Sequence, residues 1–426
     1  MKKTFLLSCL MLAAMPVMAA YTGRVYVDKN KNGVFDPGEK TWAGIKVSDG
    51  LNVVETAADG SFTLPGHERE RFIFITTPSG YKTFNRHYHK IEEKQSDYDF
   101  GLMPYSGRIR KDGSHKYIHI ADTEIFNTEN HEDWVNNVRD YARNEQAAFI
   151  IHTGDICYEK GLKAHIKLMN TENMDCPVFY CIGNHDLVKG KYGEELFESI
   201  YGPVYYSFDA GNVHYIVTPM PGGDHAPGYT ADDVCRWLKN DLAHIRPGTP
   251  VVVFNHDLLT YEDAFIFKSK NAGSINLNEH NLKAWVYGHW HINYMKKQGD
   301  VYSVCTSSLD KGGIDHSTTA FRVMHVDSKG DFTSELRYTY LDKNICIASP
   351  AGVMASGVLP VAVNVYSSVS PVKEVLYTCL ADGKPVLKNK RLLQSTDWSW
   401  NGELPLSDKY AVSYTHLRAH ETELHL

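Results

Sequence analysis

Apolar positions in this chain fall in short runs of strand length. From residue 21 to about 105 the runs Gly23–Val27, Ile45–Val47, Ser61–Leu64 and Phe72–Thr76 are separated by Gly, Asp and Pro turns. No segment there has the 3.6-residue periodicity of an amphipathic helix, so the spacing predicts a small β-domain over 20–105. The pattern changes over 114–345. Apolar runs at Lys116–Ala121, Phe149–Thr153, Val178–Ile182, His214–Thr218, Val251–Phe254, Ala284–Tyr287 and Val301–Cys305 now have helical segments between some of them. Trp134, Val138, Tyr141 and Ala142 recur at helical spacing, as do Val234, Trp237, Leu238 and Leu242. Such alternation predicts a layered α/β domain. Residues 346–411 return to β character, with Val361–Val365 and Val375–Tyr377 as strands.

The two ends read differently from the rest. Lys2 and Lys3 precede an apolar run from Phe5 to Met15, and Val17, Met18 and Ala19 supply the small-residue pattern of a signal-peptidase site. Residues 1–19 are therefore expected to be a signal peptide, with the mature chain exported to the periplasm or cell surface and open to association with the cell envelope. Cys9 lies too close to the start, with Leu7 two positions upstream, to suit lipid attachment. The run is too short to span a bilayer, and no later stretch is long enough. Residues 412–426 carry His416, His420 and His425 without any core pattern. His420 and Glu421 suggest a zinc-protease helix, but position 424 is Leu. This tail is expected to be non-native or disordered, which leaves the third domain truncated.

Composition narrows the class. Of 426 residues, 43% are hydrophobic and 22% charged, which excludes a disordered chain. Forty-four basic against 51 acidic residues give a net charge of −7, so nothing draws the whole molecule to nucleic acid or anionic lipid. Beyond Cys9 the cysteines are Cys157, Cys176, Cys181, Cys235, Cys305, Cys346 and Cys379, in neither a zinc-ribbon nor a disulfide-scaffold spacing. Most sit in apolar runs and are expected to be small buried hydrophobes, with room for one disulfide in an oxidising compartment.

The chemistry follows the strands of the middle domain. Asp122, Thr123 and Glu124 come after the first run, Gly154 and Asp155 after the second, and Gly183, Asn184, His185 and Asp186 after the third. Asn255 and His256 follow the Val251–Phe254 run, and Gly288, His289, Trp290 and His291 follow the next. Ligands in open α/β sheets bind beyond the carboxyl ends of strands. Asp, Asn and His are donors for borderline-to-hard metals. Each cluster alone is a common turn; five in succession after strands are not explained by turns. Two Gly-rich loops, Pro221–His225 and Lys311–His316, are expected to border the cleft, and Tyr158 and Trp290 are suited to stack on a leaving group. His152 reads as a core histidine, and Asp186 as a turn cap or an orienting group. No Walker loop or nucleophile elbow is present.

A separate motif lies in the first domain. Asp28, Asn30, Asn32, the Val34 carbonyl, Asp36 and Glu39 fall at positions 1, 3, 5, 7, 9 and 12 of a loop with Gly33 at position 6. That is the twelve-residue calcium-loop spacing, here without flanking helices. It resembles the calcium loops of B-type repeats in bacterial surface adhesins, and Ala57–Phe62 resembles the turn shared by those prealbumin-like sandwiches. A structural Ca²⁺ is expected there; a polar turn without an ion is the alternative.

The order D-x-E, G-D, G-N-H-D, N-H, G-H-W-H over residues 114 to about 330 resembles the calcineurin-like metallophosphoesterase superfamily. The three-part arrangement is similar to exported bacterial members with small terminal domains. The resemblance implies a central β-sandwich flanked by helices, an N-terminal prealbumin-like or Ig-like β-sandwich and a C-terminal β-domain. It implies a centre of two divalent transition metals, Mn, Fe or Zn. Asp122 and His291 would hold the first, Asp155 would bridge, and Asn184, His256 and His289 would hold the second. His185 would face a phosphate-ester substrate as general acid to a metal-bridging hydroxide, with Asn184 steadying the phosphoryl oxygens. Glu124 stands where the family pattern has His. As a further ligand it would add negative charge and favour Mn²⁺ or Mg²⁺. The bond cleaved is expected to be a phosphate ester. A phosphodiester or pyrophosphate of a nucleotide, lipid or glycan is the alternative, and a weakly catalytic surface module is the reading from another class.

Overall fold

The computed structural model describes residues 20–84, 86–105, 108–339, 343–350, 357–367, 372–381, 383–396 and 398–406. The expected signal peptide over 1–19 and the tail over 412–426 lie outside these residues.

The middle domain is a sandwich of two sheets. One has the order Val178–Tyr180, Phe149–His152, His115–Ile120, Ala320–Val326, Phe332–Tyr338. Its first three strands run parallel and the last two pair antiparallel. The other has the order Tyr206–Ala210, Val213–Val217, Val251–Phe254, Leu282–Tyr287, Val301–Cys305, Tyr294–Gln298. Its four central strands are parallel and both edges antiparallel.

Side-chain alternation explains the layering. On the first sheet Tyr117, Phe149 and Ile151 face inward and join one core with Phe208, Tyr215, Val253, Phe254 and Trp285 of the second. Aromatic rings knit the two faces, with Phe149 to Phe208 at 4.9 Å and Phe179 to Phe208 at 3.8 Å between centroids. Ile118, Ile120 and Ile150 face outward onto Trp134 and Val138 of the helix Glu132–Asn144. Trp237, Leu238 and Leu242 of the helix Ala231–Ala243 cover the second sheet. That helix begins at Thr230, whose hydroxyl accepts from the Asp233 N–H in a capping box.

Several strands were not signalled by apolar runs. Phe332–Tyr338 and Tyr294–Gln298 are edge strands with polar and charged residues between the apolar ones, so they lack a continuous core signature. The Val178 strand ends at Tyr180, two residues earlier than its apolar run, because the chain turns there into the site.

The N-terminal part is a two-sheet β-domain. Tyr21–Val27 pairs with Lys40–Thr41, Ser61–Leu64 and Phe100–Pro104, which in turn pairs with Tyr81–Thr83. The facing sheet has the order Val53–Glu55, Lys46–Ser48, Phe72–Ile75, Tyr88–Lys90. Val25, Val47, Phe62, Ile73 and Phe100 fill the space between. The C-terminal part is antiparallel: Lys343–Ser349, Gly357–Ser367, Ser399–Leu406 and Leu393–Gln394 form one sheet, and Leu376–Ala381 with Lys384–Arg391 a second. Six of the seven cysteines after Cys9 are buried, as expected of small hydrophobes, and Cys346 is exposed.

Candidate metal centre

All five chemical clusters leave the carboxyl ends of strands, three from the first sheet and two from the second. The sandwich brings those ends to one edge. At the edge the chain reverses at once, and the reversal is visible in the backbone. Asp122 (φ 51°), Glu124 (φ 45°), Asp155 (φ 54°), His289 (φ 65°) and His291 (φ 49°) all occupy the left-handed region. Non-glycine residues there store roughly 1–3 kcal/mol each, and such strain clusters at functional sites. Two glycines give the cluster its closeness: a Cβ on Gly183 would lie 2.2 Å from Asp155 Oδ1, and one on Gly288 would lie 2.7 Å from Asp122 Oδ2.

The side chains converge. His256 Nε2 is 3.1 Å from Asp155 Oδ2, 3.1 Å from Asn184 Oδ1 and 4.0 Å from Asp122 Oδ1. His291 Nε2 is 3.4 Å from Asp122 Oδ1 and 3.4 Å from Glu124 Oε1. Ligand atoms of Asp155, His256 and His289 lie within 4.8 Å of one another. The outer contacts fix the inner ones. His256 Nδ1 sits 2.7 Å from the Thr153 carbonyl, which leaves Nε2 to face the carboxylates. The His289 N–H donates to both Asp122 oxygens at 3.1 Å, and the His185 N–H donates to Asp155 Oδ1 at 3.0 Å.

Electrostatics follow from this crowding. Burial pulls the His256 imidazole down, but the Asp155 charge and hydrogen bond, with Asp122, outweigh it and raise its pKa to about 10. Burial pushes Asp155 up, and the His256 charge outweighs it and holds the carboxyl below its ordinary value. Asp122 is raised, chiefly by burial. The carboxylates thus gather negative charge at His256, where a bound cation would take the place of a proton. Two aspartates, three histidines and an asparagine, gathered with glycine at the closest approaches, fit divalent metals with oxygen and nitrogen ligands.

Every expected ligand therefore lies in or beside one cluster. Glu124 belongs to it through one oxygen only: its Oε2 is ion-paired with Lys311. The negative charge expected of Glu124 at the centre is thus shared with the lysine cation. Asp224 of the Pro221–His225 loop accepts from His185 Nδ1 at 2.9 Å. Both Gly-rich loops thus reach the site through one charged side chain each. Asp186 is a turn cap, accepting from the Cys157 N–H at 2.8 Å and the Gly183 N–H at 2.9 Å, and burial with the nearby Asp155 charge lifts it to about 7. His152 is buried and bonded to Thr123 Oγ1 at 3.0 Å, in the core as expected.

The loops that carry Lys311 and Asp224 were expected at the cleft, but their ion pairs were not: the partners lie 187 and 39 residues away, and only folding joins them. Cys157 shares a ligand-distance group with Glu124 and Asp155, but burial, then the surrounding carboxylates, push its thiol up, away from a thiolate ligand.

Comparison with known proteins agrees with this geometry. Residues 115–293 match the calcineurin-like phosphoesterase family, and residues 29–105 match the N-terminal domain of calcineurin-like phosphoesterases. No curated protein matches the chain. Among solved structures it is similar to a dimetal phosphatase from Danio rerio, with 12% identity over 51% of this chain and 98% of that one and a TM-score of 0.35. An archaeal phosphodiesterase has 13% identity over 52% of this chain and 99% of that one, with a TM-score of 0.26. GAP50, the anchor in the inner membrane complex of Plasmodium, has 14% identity over 53% and 85%, with a TM-score of 0.36. The family match spans every strand end in the cluster, from Asp122 to His291, and the chain is a calcineurin-like metallophosphoesterase, a hydrolase carrying that family's N-terminal domain.

Proposed function

We propose that this hydrolase is an exported phosphoesterase in which His185 protonates the leaving group of a phosphate ester. The observation that carries the reading is the placement of His185. It follows the ligand Asn184 directly, yet its ring is turned out of the cluster, one-third exposed, with Nδ1 on Asp224. Burial lowers its pKa, but the Asp224 hydrogen bond and the charges of Asp155, Asp224 and Glu124 outweigh that and raise it. Asp224 occupies Nδ1, so Nε2 is the atom that delivers a proton.

When bound, two divalent metals supply Lewis-acid charge and a nucleophile at neutral pH. Asp155, between His256 and the His185 N–H, would bridge them. Asp122 with His291, and His256 with His289 and Asn184, would complete the two ligand sets. Held at the mouth by Asp224, His185 meets the departing oxygen, a role worth roughly 10²–10⁴-fold.

Export rests on the basic, apolar and small-residue succession of residues 1–19. Among the described residues no helix is long and apolar enough to cross a membrane. Ca²⁺ binding to the 28–39 loop is supported by its geometry. Asp28 accepts from the Asn32 N–H at 3.2 Å and the Gly33 N–H at 2.8 Å, while Asn30 and Asn32 both donate to Asp36 Oδ2 at 2.8 Å. Glu39 accepts from the Lys29 N–H at 2.8 Å and the Asp36 N–H at 3.1 Å, so all five side chains are wrapped into one small loop.

The test is His185→Gln on a series of phosphate mono- and diesters of graded leaving-group pKa. Metal content should stay at the wild-type level, and turnover should fall about 10²-fold or more for alkyl esters and least for nitrophenyl esters. Equal losses across the series would remove the general-acid role.

A further inference from the structure

The outside of the metal centre is unusual in a way the hydrolytic chemistry does not require. Among the described residues before 340, the large apolar side chains left exposed are Val34, Phe126, Tyr158, Tyr261 and Ile314. Single exposed apolar residues are ordinary, but four of these five stand around the cluster, three on loops and Tyr158 at the start of a helix. Phe126 and Tyr158 stack on each other, centroids 6.3 Å apart at 15°. Tyr158 lies 5.3 Å from the His185 ring, and Lys311 Nζ lies 5.7 Å from the Phe126 ring. On the far side Tyr261 stacks on Trp290, between His289 and His291, at 5.8 Å. The Ile314 N–H donates to the His291 carbonyl at 2.9 Å.

The backbone holds Tyr158 in this exposed place under strain. Cys157 (φ 76°) and Tyr158 (φ 55°) are consecutive non-glycine residues in the left-handed region, just where the helix Tyr158–Leu168 begins. Tyr158 stands beside His185 and Phe126 beside Tyr158, so the aromatic pair adjoins the group proposed to protonate the leaving oxygen.

We propose that Phe126 and Tyr158 form a stacking platform for the leaving group, and that the substrates are phosphate esters whose leaving alcohol carries a planar aromatic ring, a nucleobase or an aryl group. The inference rests on the phosphoesterase reading above and deepens it. Flat rings matched against a parallel aromatic pair, with a lysine nearby, favour a π-faced ligand. An acyl chain would be better met by an aliphatic groove, and a net charge of −7 does not favour an anionic lipid surface.

The test compares esters that differ only in the ring. A nucleoside 5′-monophosphate is set against ribose 5-phosphate, and benzyl phosphate against ethyl phosphate, each also as its methyl diester, with dodecyl phosphate as the aliphatic arm. For the metal-loaded full chain the ring-bearing member should have a kcat/KM about 5- to 100-fold higher. The pair that shows it separates nucleobase from aryl. In Phe126→Ala/Tyr158→Ala the ratio should fall to near one, mainly through KM, at unchanged metal content. Phe126→Tyr/Tyr158→Phe should keep the preference. A wild-type ratio near one, a preference that survives the double alanine variant, or a preference for dodecyl phosphate overturns the platform while leaving the phosphoesterase intact. No turnover of any ester with metals bound overturns the phosphoesterase reading itself.

Discussion

A carboxylate 3.1 Å from a buried imidazole, with a backbone N–H on its other oxygen, has no freedom to move without consequence, and Asp155 is held in that way. Gly183 is the second half of the same constraint. A methyl group there would overlap Asp155 Oδ1 at 2.2 Å and the Asp155 nitrogen at 2.3 Å. Its own φ of −98° is ordinary, so the effect of Gly183→Ala is steric, not conformational. Gly183→Ala should therefore behave as a milder Asp155→Ala. Both should lose retained metal, measured by elemental analysis of the purified protein. Turnover should be near background for Asp155→Ala and at least about tenfold down for Gly183→Ala, a 1.4 kcal/mol effect on the barrier. Normal metal content in either variant would remove Asp155 from its bridging place. The ligand types were legible at this scale because each stands directly after an apolar run. The ion pair of Glu124 was not, because its partner, Lys311, lies on the far side of the domain in sequence.

Elements are joined by polar groups as well as by packing, and His214 is the clearest instance. It lies on the strand Val213–Val217 with Nδ1 2.7 Å from Asp209 on the neighbouring strand and Nε2 2.8 Å from Asp241 on the helix Ala231–Ala243. Asp241 is further held by Ser207 Oγ at 2.9 Å, and Lys46 Nζ approaches His214 Nδ1 at 3.5 Å. Burial lowers the His214 pKa, and Asp241 then Asp209 outweigh burial and the lysine, leaving it above the ordinary 6.5. Burial raises Asp209 and Asp241, and His214 outweighs it, leaving both below 3.8. A raised histidine stabilises fully below 6.5 and loses that contribution as pH rises through its folded value. Depressed carboxylates stabilise fully above 3.8 and lose it as pH falls through theirs. Wild type should then exceed His214→Ala by about 3 kcal/mol between roughly pH 4 and 6.5, since the variant leaves a buried aspartate unpaired. Urea unfolding across pH should show the gap narrowing on both sides; a gap that widens above pH 7 would contradict the charged pairing. Central strands were legible because both faces are buried, and the two amphipathic helices because their apolar residues recur at helical spacing. The strand Tyr206–Ala210 and the edge strands mix polar residues into the pattern, and only their neighbours decide them.

The whole molecule is bound more tightly than a string of domains. Phe72, Phe74 and Tyr88 of the N-terminal part belong to the same apolar core as Phe208 and Trp237, and Arg71 reaches across to Glu194 at 2.8 Å and Glu198 at 2.7 Å. The Asp209 N–H donates to the Thr77 carbonyl at 2.9 Å, a backbone bond between the two parts. At the other end Trp398 Nε1 and Asn364 Nδ2 hold Asp315, at 3.2 and 3.0 Å, so the C-terminal sheet braces the loop that supplies Lys311. With a shared core, the N-terminal and middle parts should unfold in one transition. A ligand of the N-terminal loop should then stabilise the catalytic domain through that transition, although it touches none of the hydrolytic residues. Ca²⁺ at a hundred times its dissociation constant contributes about 2.7 kcal/mol. For a chain of this size that is a rise in Tm of about 3–5 °C. Thermal unfolding of the full chain should show this shift with millimolar Ca²⁺. Asp28→Ala should abolish it, because Asp28 is buried and anchors the loop through Asn32 and Gly33. The ratio of turnover on any two esters should be the same with and without Ca²⁺, since the loop has no part in the mouth of the site. Two separated transitions, only the lower one moved by Ca²⁺, would show that the shared core does not couple the parts. A shift that persists in Asp28→Ala would place the calcium elsewhere and leave residues 28–39 as a polar turn.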